Sequence, residues 1–213
     1  TPKPSSAASD VYKRQVNTTG VTDFSNAWEY CEYIVKFPCV DSSAVTNFSY
    51  AWYECGNLSI FPQIDTHLGQ DFTYSWGYTR LDKFPPIDTS SATSFDGAWA
   101  GCYFLEEFPY LESGSVTDFY NAWGYDYALK NFPLIDTSLG EDFRYAWYEC
   151  QKLTSFPELN MGSGVTFNGA WNGCSGLTSF PAIDFSSGED FSNSWNGCTS
   201  LTSFPQIDVS SGV

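Results

Sequence analysis

The sequence predicts a repeat solenoid of α/β type: eight units of 24 residues, each with one short helix and one short strand. Three recurrences predict it. Tryptophan stands at 28, 52, 76, 99, 123, 147, 171 and 195, at intervals of 24 with a single interval of 23. A Phe precedes every Trp by four residues, at 24, 48, 72, 95, 119, 143, 167 and 191. A Phe-Pro dipeptide follows every Trp, its Phe at 37, 61, 84, 108, 132, 156, 180 and 204. Sixteen of the 18 Phe thus fall in two columns of one repeat, and the only length change lies between Trp76 and Phe84.

The unit reads V-T-D-F-x-x-A-W-x-x-C-x-x-L-T-x-F-P-x-I-D-T-S-x-G. Its first half carries apolar residues at the first Phe, then three, four and seven residues on, which is one face of a short helix. Asp or Thr just before that Phe suits an N-cap, because its oxygen can accept an orphan helix N–H. Asn-Gly after Trp171 and Trp195 keeps the predicted helix short. The second half, Leu-x-x-Phe-Pro-x-Ile-Asp, is too brief for a helix and contains Pro. It is read as an extended strand closed by an Asp-Thr-Ser-Gly turn. A unit this small cannot bury its own core, but a stack of them can.

Composition excludes several classes. The 213 residues are 42% hydrophobic, too many for a disordered chain even at a net charge of −16. No run approaches the roughly 20 apolar residues of a membrane span. A pI near 4.1 argues against a nucleic-acid partner, which needs a basic patch. Ser5–Gln15, SSAASDVYKRQ, resembles a translated sequencing-library adapter, so residues 1–15 are set aside as non-native and the source as shotgun, environmental sequence. The single solenoid domain is then 16–213. Val16–Gly20 matches the close of a preceding unit and Ser210–Val213 the opening of a following one, so the array is expected to continue at both ends. Exposed end coils would then favour end-to-end self-association.

The pattern Val-Thr-x-Phe-x-x-Ala-Trp-x-x-Cys-x-x-Leu-x-x-Phe-Pro resembles the BspA-like leucine-rich repeat, in a 24-residue aromatic variant. In that family Ile and Phe stand where this chain has the first Phe and the Trp, while the Cys and Leu are shared. The resemblance covers all eight units. It implies a right-handed leucine-rich-repeat solenoid, strands on one face and helices on the other. It also implies a bacterial or protist cell-surface protein.

Candidate sites sort by column. Trp28, Trp52, Trp76, Trp99, Trp123, Trp147, Trp171 and Trp195 read as structural core rather than a sugar platform, since a stack needs one large side chain per unit. Six of seven Cys follow Trp by three residues, with Thr79 and Asp126 taking that place in repeats 3 and 5. Without a C-x-x-C pair, this column reads as buried reduced thiols rather than a metal centre. Cys39, after Phe37-Pro38, is the one candidate reactive thiol.

Two carboxylate columns flank the closing turn. One holds Asp41, Asp65, Asp88, Asp136, Asp184 and Asp208; the other holds Asp23, Asp71, Asp118, Asp142 and Asp190. The pairs Asp65 and Asp71, Asp136 and Asp142, and Asp184 and Asp190 are candidate Ca²⁺ ligands, amid Ser, Thr and Gly oxygens. The competing reading is that each carboxylate accepts N–H groups of its own turn. Glu112, Asn160, Ser94 and Thr166 interrupt the columns, which a turn tolerates better than a ligand set. No other cofactor is expected.

Catalysis has little to draw on. The one histidine, His67, lies in a variable turn outside every column. No Walker or Rossmann phosphate loop is present. A non-enzymatic protein is therefore expected, presenting an extended face for protein recognition or adhesion. Lys36, Gln63, Lys83, Glu107, Tyr110 and Asn131, on the strand's outward positions, are its candidate ligand contacts. Tyr crowds repeats 1–5 and suits recognition surfaces. Exposed Tyr there also allows a carbohydrate-binding module, while a polysaccharide-active enzyme is the remotest alternative.

Overall fold

A computed structural model describes residues 17–207. The adapter-like segment, Val16, Asp208 and Ser210–Val213 lie outside the described residues. Within them the chain winds as a column of coils in which each residue sits beside its equivalent one unit on. Parallel single-residue bridges link Asp23, Asn47, Asp71, Ser94, Asp118, Asp142, Thr166 and Asp190 in succession. A second series joins Lys36 to Ile60, and Lys83 to Glu107 to Asn131.

The expected α/β leucine-rich-repeat solenoid is corrected here: the described residues contain no helix and no strand. The segment read as a helix is a run of turns. In repeat 2, Ala51, Tyr53 and Cys55 donate their N–H three residues back, to Phe48, Tyr50 and Trp52. The residues between them donate outward instead. Phe48, Tyr50, Trp52 and Glu54 bond to the carbonyls of Asp71, Thr73, Ser75 and Gly77 in the next coil, at 2.7–2.9 Å. An α-helix needs successive N–H groups to bond four residues back, so half of its donors are diverted.

Dihedral angles close off the helix too. The second and sixth residues after the first Phe have positive φ in every unit. Examples are Tyr50 at 56° and Glu54 at 55°, Gly97 at 56° and Gly101 at 71°, and Asn193 at 59° and Gly197 at 79°. Each is the second central residue of a turn, where a type II turn requires that sign.

The segment read as a strand fails for a different reason. Its one bridging residue is followed by Phe-Pro, and Pro has no N–H to extend a ladder. Bridges therefore remain isolated at this column.

Three aromatic stacks fill the interior. Successive Trp rings lie parallel within 3–12°, with centroids 5.4–5.7 Å apart. Each Trp also meets the Phe of its own Phe-Pro edge-to-face, at 4.7–4.9 Å. Such pairs contribute about 0.5–1.5 kcal/mol each beyond the area they bury. Trp52, Trp76, Trp99, Trp123, Trp147 and Trp171 are fully buried; Trp28 and Trp195, in the first and last coils, are partly so. The 23-residue interval leaves the stack intact, since Trp76 and Trp99 remain 5.6 Å apart and 7° from parallel.

Polar ladders run beside the rings. Ser42, Thr66, Thr89, Ser113 and Thr137 are buried, and each hydroxyl donates to a carbonyl of the next coil at 2.5–2.6 Å. The Cys column works the other way. Cys55, Cys102, Cys150, Cys174 and Cys198 donate Sγ–H to the Trp carbonyl of the preceding coil at 3.1–3.2 Å. None of these five is in a disulfide.

Candidate functional site

Across repeats 1–6 the places two, five, six and eight after the first Phe hold ten Tyr, all half-buried or exposed, and Tyr120 stands one place after Phe119. Their rings touch in one unbroken network. Tyr30 meets Tyr53, which meets Tyr50, Tyr74 and Tyr78. The path continues through Tyr103, Tyr127, Tyr125, Tyr148 and Tyr145 to Tyr120. These eleven rings have neighbouring centroids 5.0–6.3 Å apart. In repeats 7 and 8 the same places hold Gly169, Asn172, Gly173, Asn193, Asn196 and Gly197, and the aromatic face ends.

Glycine of one coil makes room for tyrosine of the coil before. A Cβ on Gly97 would lie 2.4 Å from the Tyr74 ring, and one on Gly101 2.6 Å from the ring of Tyr78. These glycines leave the space that the Tyr74 and Tyr78 rings occupy. Burial, as the largest cause, raises the phenol pKa of Tyr50, Tyr74 and Tyr78, with neighbouring carboxylates adding to it.

Acidic groups line this face. Asp96, half-buried, has one carboxylate oxygen enclosed and without a hydrogen-bond partner. Burial, then the fields of Asp118, Asp142 and Asp71, push its pKa up to about 6. Asp118 is raised by burial as well. Arg144 is the cation among them. Its Nη2 lies 2.6 Å from Asp142 Oδ2, its Nε 3.0 Å from both Asp142 oxygens, and its guanidinium 5.1 Å from the centre of the Tyr120 ring. Beside it Tyr120, Asn121, Tyr125, Tyr145 and Tyr148 enclose a hollow of about 320 Å³. Glu32, Glu54, Gly56, Asn57 and Tyr78 line another of about 420 Å³.

The six ligand contacts expected from sequence, Lys36, Gln63, Lys83, Glu107, Tyr110 and Asn131, are all exposed. Lys83, Glu107 and Asn131 are bridged neighbours. Gln63 and Tyr110 meet at a shallow hollow of about 300 Å³ with Pro86, Ile87, Asp88 and Glu112. Lys36 is not part of that hollow.

The candidate Ca²⁺ ligands each serve a local turn. Asp71, Asp136, Asp142, Asp184 and Asp190 accept the backbone N–H two residues on at 2.8–2.9 Å, and Asp65 does so at 3.2 Å. Hydrogen bonds from that same residue hold Asp65, Asp136 and Asp190 below the usual carboxylate range. Among the described residues no three His, Cys, Asp or Glu side chains are grouped to hold a metal ion. His67 Nδ1 lies 2.6 Å from Asp65 Oδ1 on the exposed turn. Burial raises the Cys55 thiol to about 12 and Cys198 to about 11, opposite to what a nucleophile needs. Cys39 is exposed.

Sequence reasoning missed the tyrosine network and Asp96. The signal for the network was the recurrence of Tyr at the second, fifth and sixth places after the first Phe, a spacing that a helix and paired turns both gather on one side; no column signalled Asp96. No protein-family model, curated protein or solved structure matches the chain. No helix among the described residues is long and apolar enough to cross a membrane.

Proposed function

We propose that this chain is a non-enzymatic recognition protein, bacterial and displayed at a cell surface or secreted, whose stacked coils present an extended face to a protein ligand. The observation that carries this reading is the continuous network of eleven tyrosine rings across six coils. Tyr offers a large, amphipathic contact at low entropic cost, and here neighbouring rings already restrain one another. The bacterial surface setting comes from the BspA-like resemblance, an argument by analogy.

The test is an array of extracellular proteins probed with the wild type and with a variant carrying Tyr53→Ser, Tyr78→Ser, Tyr103→Ser and Tyr148→Ser. A protein ligand should be bound by the wild type and by Tyr110→Ala, and weakened at least tenfold by the fourfold variant while near-ultraviolet circular dichroism still reports a packed core. Binding unchanged by the fourfold variant would sink the reading. Tyr110, 60% exposed beside a hollow that also presents Gln63, Asp88 and Glu112, favours a second reading as a glycan contact. In that case glycan-array binding would be lost with Tyr110→Ala and kept by the fourfold variant.

A further inference from the structure

Three features of the tyrosine face bear on what it would hold. First, its carboxylates outnumber its cations: Arg144 is paired with Asp142 and Arg80 lies over the Phe104 ring. The ion pairs among the described residues are His67–Asp65, Lys130–Glu106 and Arg144–Asp142, so Glu54 and Asp96 have no cationic partner. Asp96 sits in the field of Asp118, Asp142 and Asp71, only partly offset by Arg144, with one oxygen enclosed and unbonded. Second, the face already shows how it takes up a guanidinium. Arg144 lies over Tyr120 at 5.1 Å while its nitrogens grip a carboxylate. Third, the hollow bounded by Glu32, Glu54 and Tyr78 combines the same two elements, carboxylate and ring, and no Arg or Lys lines it. Aromatic faces attract cations, and Arg adds planar, bidentate bonding to carboxylates.

We propose that the tyrosine face docks an arginine- or lysine-bearing segment of a partner protein, its cations lying over the rings and pairing with Glu54 and Asp96. The inference rests on the recognition reading above and gives it a ligand chemistry. A cationic segment supplies the charge that the face lacks, whereas a neutral glycan could donate hydroxyls to these carboxylates but would not neutralise them. A second copy of the chain, with 9 basic against 25 acidic residues, supplies little of that charge.

The experiment is fluorescence anisotropy of the whole chain with a labelled peptide of six Arg-Gly repeats, its citrulline counterpart and a Glu-Gly peptide. The arginine peptide should bind at least tenfold tighter than the citrulline peptide, and the Glu-Gly peptide should not bind. Glu54→Gln combined with Asp96→Asn should weaken the arginine peptide at least tenfold. Asp65→Asn with Asp184→Asn removes the same charge away from this face and should change it less than twofold. Equal weakening by both pairs means general polyanion attraction and overturns the inference, as does failure of the arginine peptide to bind. Citrulline-peptide binding equal to that of the arginine peptide and lost on Tyr53→Ser with Tyr78→Ser would overturn the cation while leaving the recognition reading in place.

Discussion

Asp126 occupies a place that six other units give to Cys, between Cys102 and Cys150, and it is fully buried. Neither carboxylate oxygen has a hydrogen-bond partner, and burial holds its pKa well above the usual 3.8. A group whose folded pKa is raised prefers to fold protonated, so its contribution worsens as pH climbs above the unfolded value. Replacing it with the column residue, Asp126→Cys, removes that penalty and restores a thiol that can donate to the Trp99 carbonyl. The variant should be more stable by about 1–3 kcal/mol at pH 7, the cost of an orphaned buried polar group. Urea unfolding at pH 4 and pH 7 checks it: the advantage should be larger at pH 7, and an advantage that shrinks with rising pH would contradict this account.

The turn segment explains what the sequence concealed. Apolar residues at the first Phe and three, four and seven places on fit a helix and fit paired turns equally well, because both return side chains to one side. What separates them is the residue at the second and sixth places. Asn26, Gly97, Asn121, Gly169 and Asn193, with Gly101, Gly173 and Gly197, are types that tolerate positive φ. Tyr50, Glu54, Tyr74 and Glu149 hid the signal by taking the same conformation at a cost of about 1–2 kcal/mol each. The core columns, in contrast, were legible because a stack imposes its period on every large side chain whatever the backbone does. Glu54→Gly tests the element. It places at φ 55° the residue that repeats 4, 7 and 8 use there, and should stabilise the fold by about 1 kcal/mol. A lower melting temperature would show that the Glu54 side chain matters more than its backbone.

At the scale of the molecule, each coil is held by its neighbours, so stability should depend on where a coil lies. Trp123→Ala opens a fully buried stack between two others and should cost about 3–5 kcal/mol. Trp28→Ala, in the partly buried first coil, should cost distinctly less. Equal losses in denaturant titrations would mean that the array unfolds without regard to position. The bonds that join the coils carry one more consequence. At all seven junctions the first Phe and the second, fourth and sixth residues after it send four backbone N–H groups forward, from each coil to the carbonyls of the next, while backward bonds such as Gln70 to Thr46 and Arg80 to Leu58 lie at the edges of the turn segment. Peptide dipoles on that side are therefore aligned along the stack, as they are along a helix axis. Their negative pole lies toward repeat 1, where Glu29 and Glu32 stand. The tyrosine face has a built-in direction of electric field, and a charged ligand lying on it has a preferred way round.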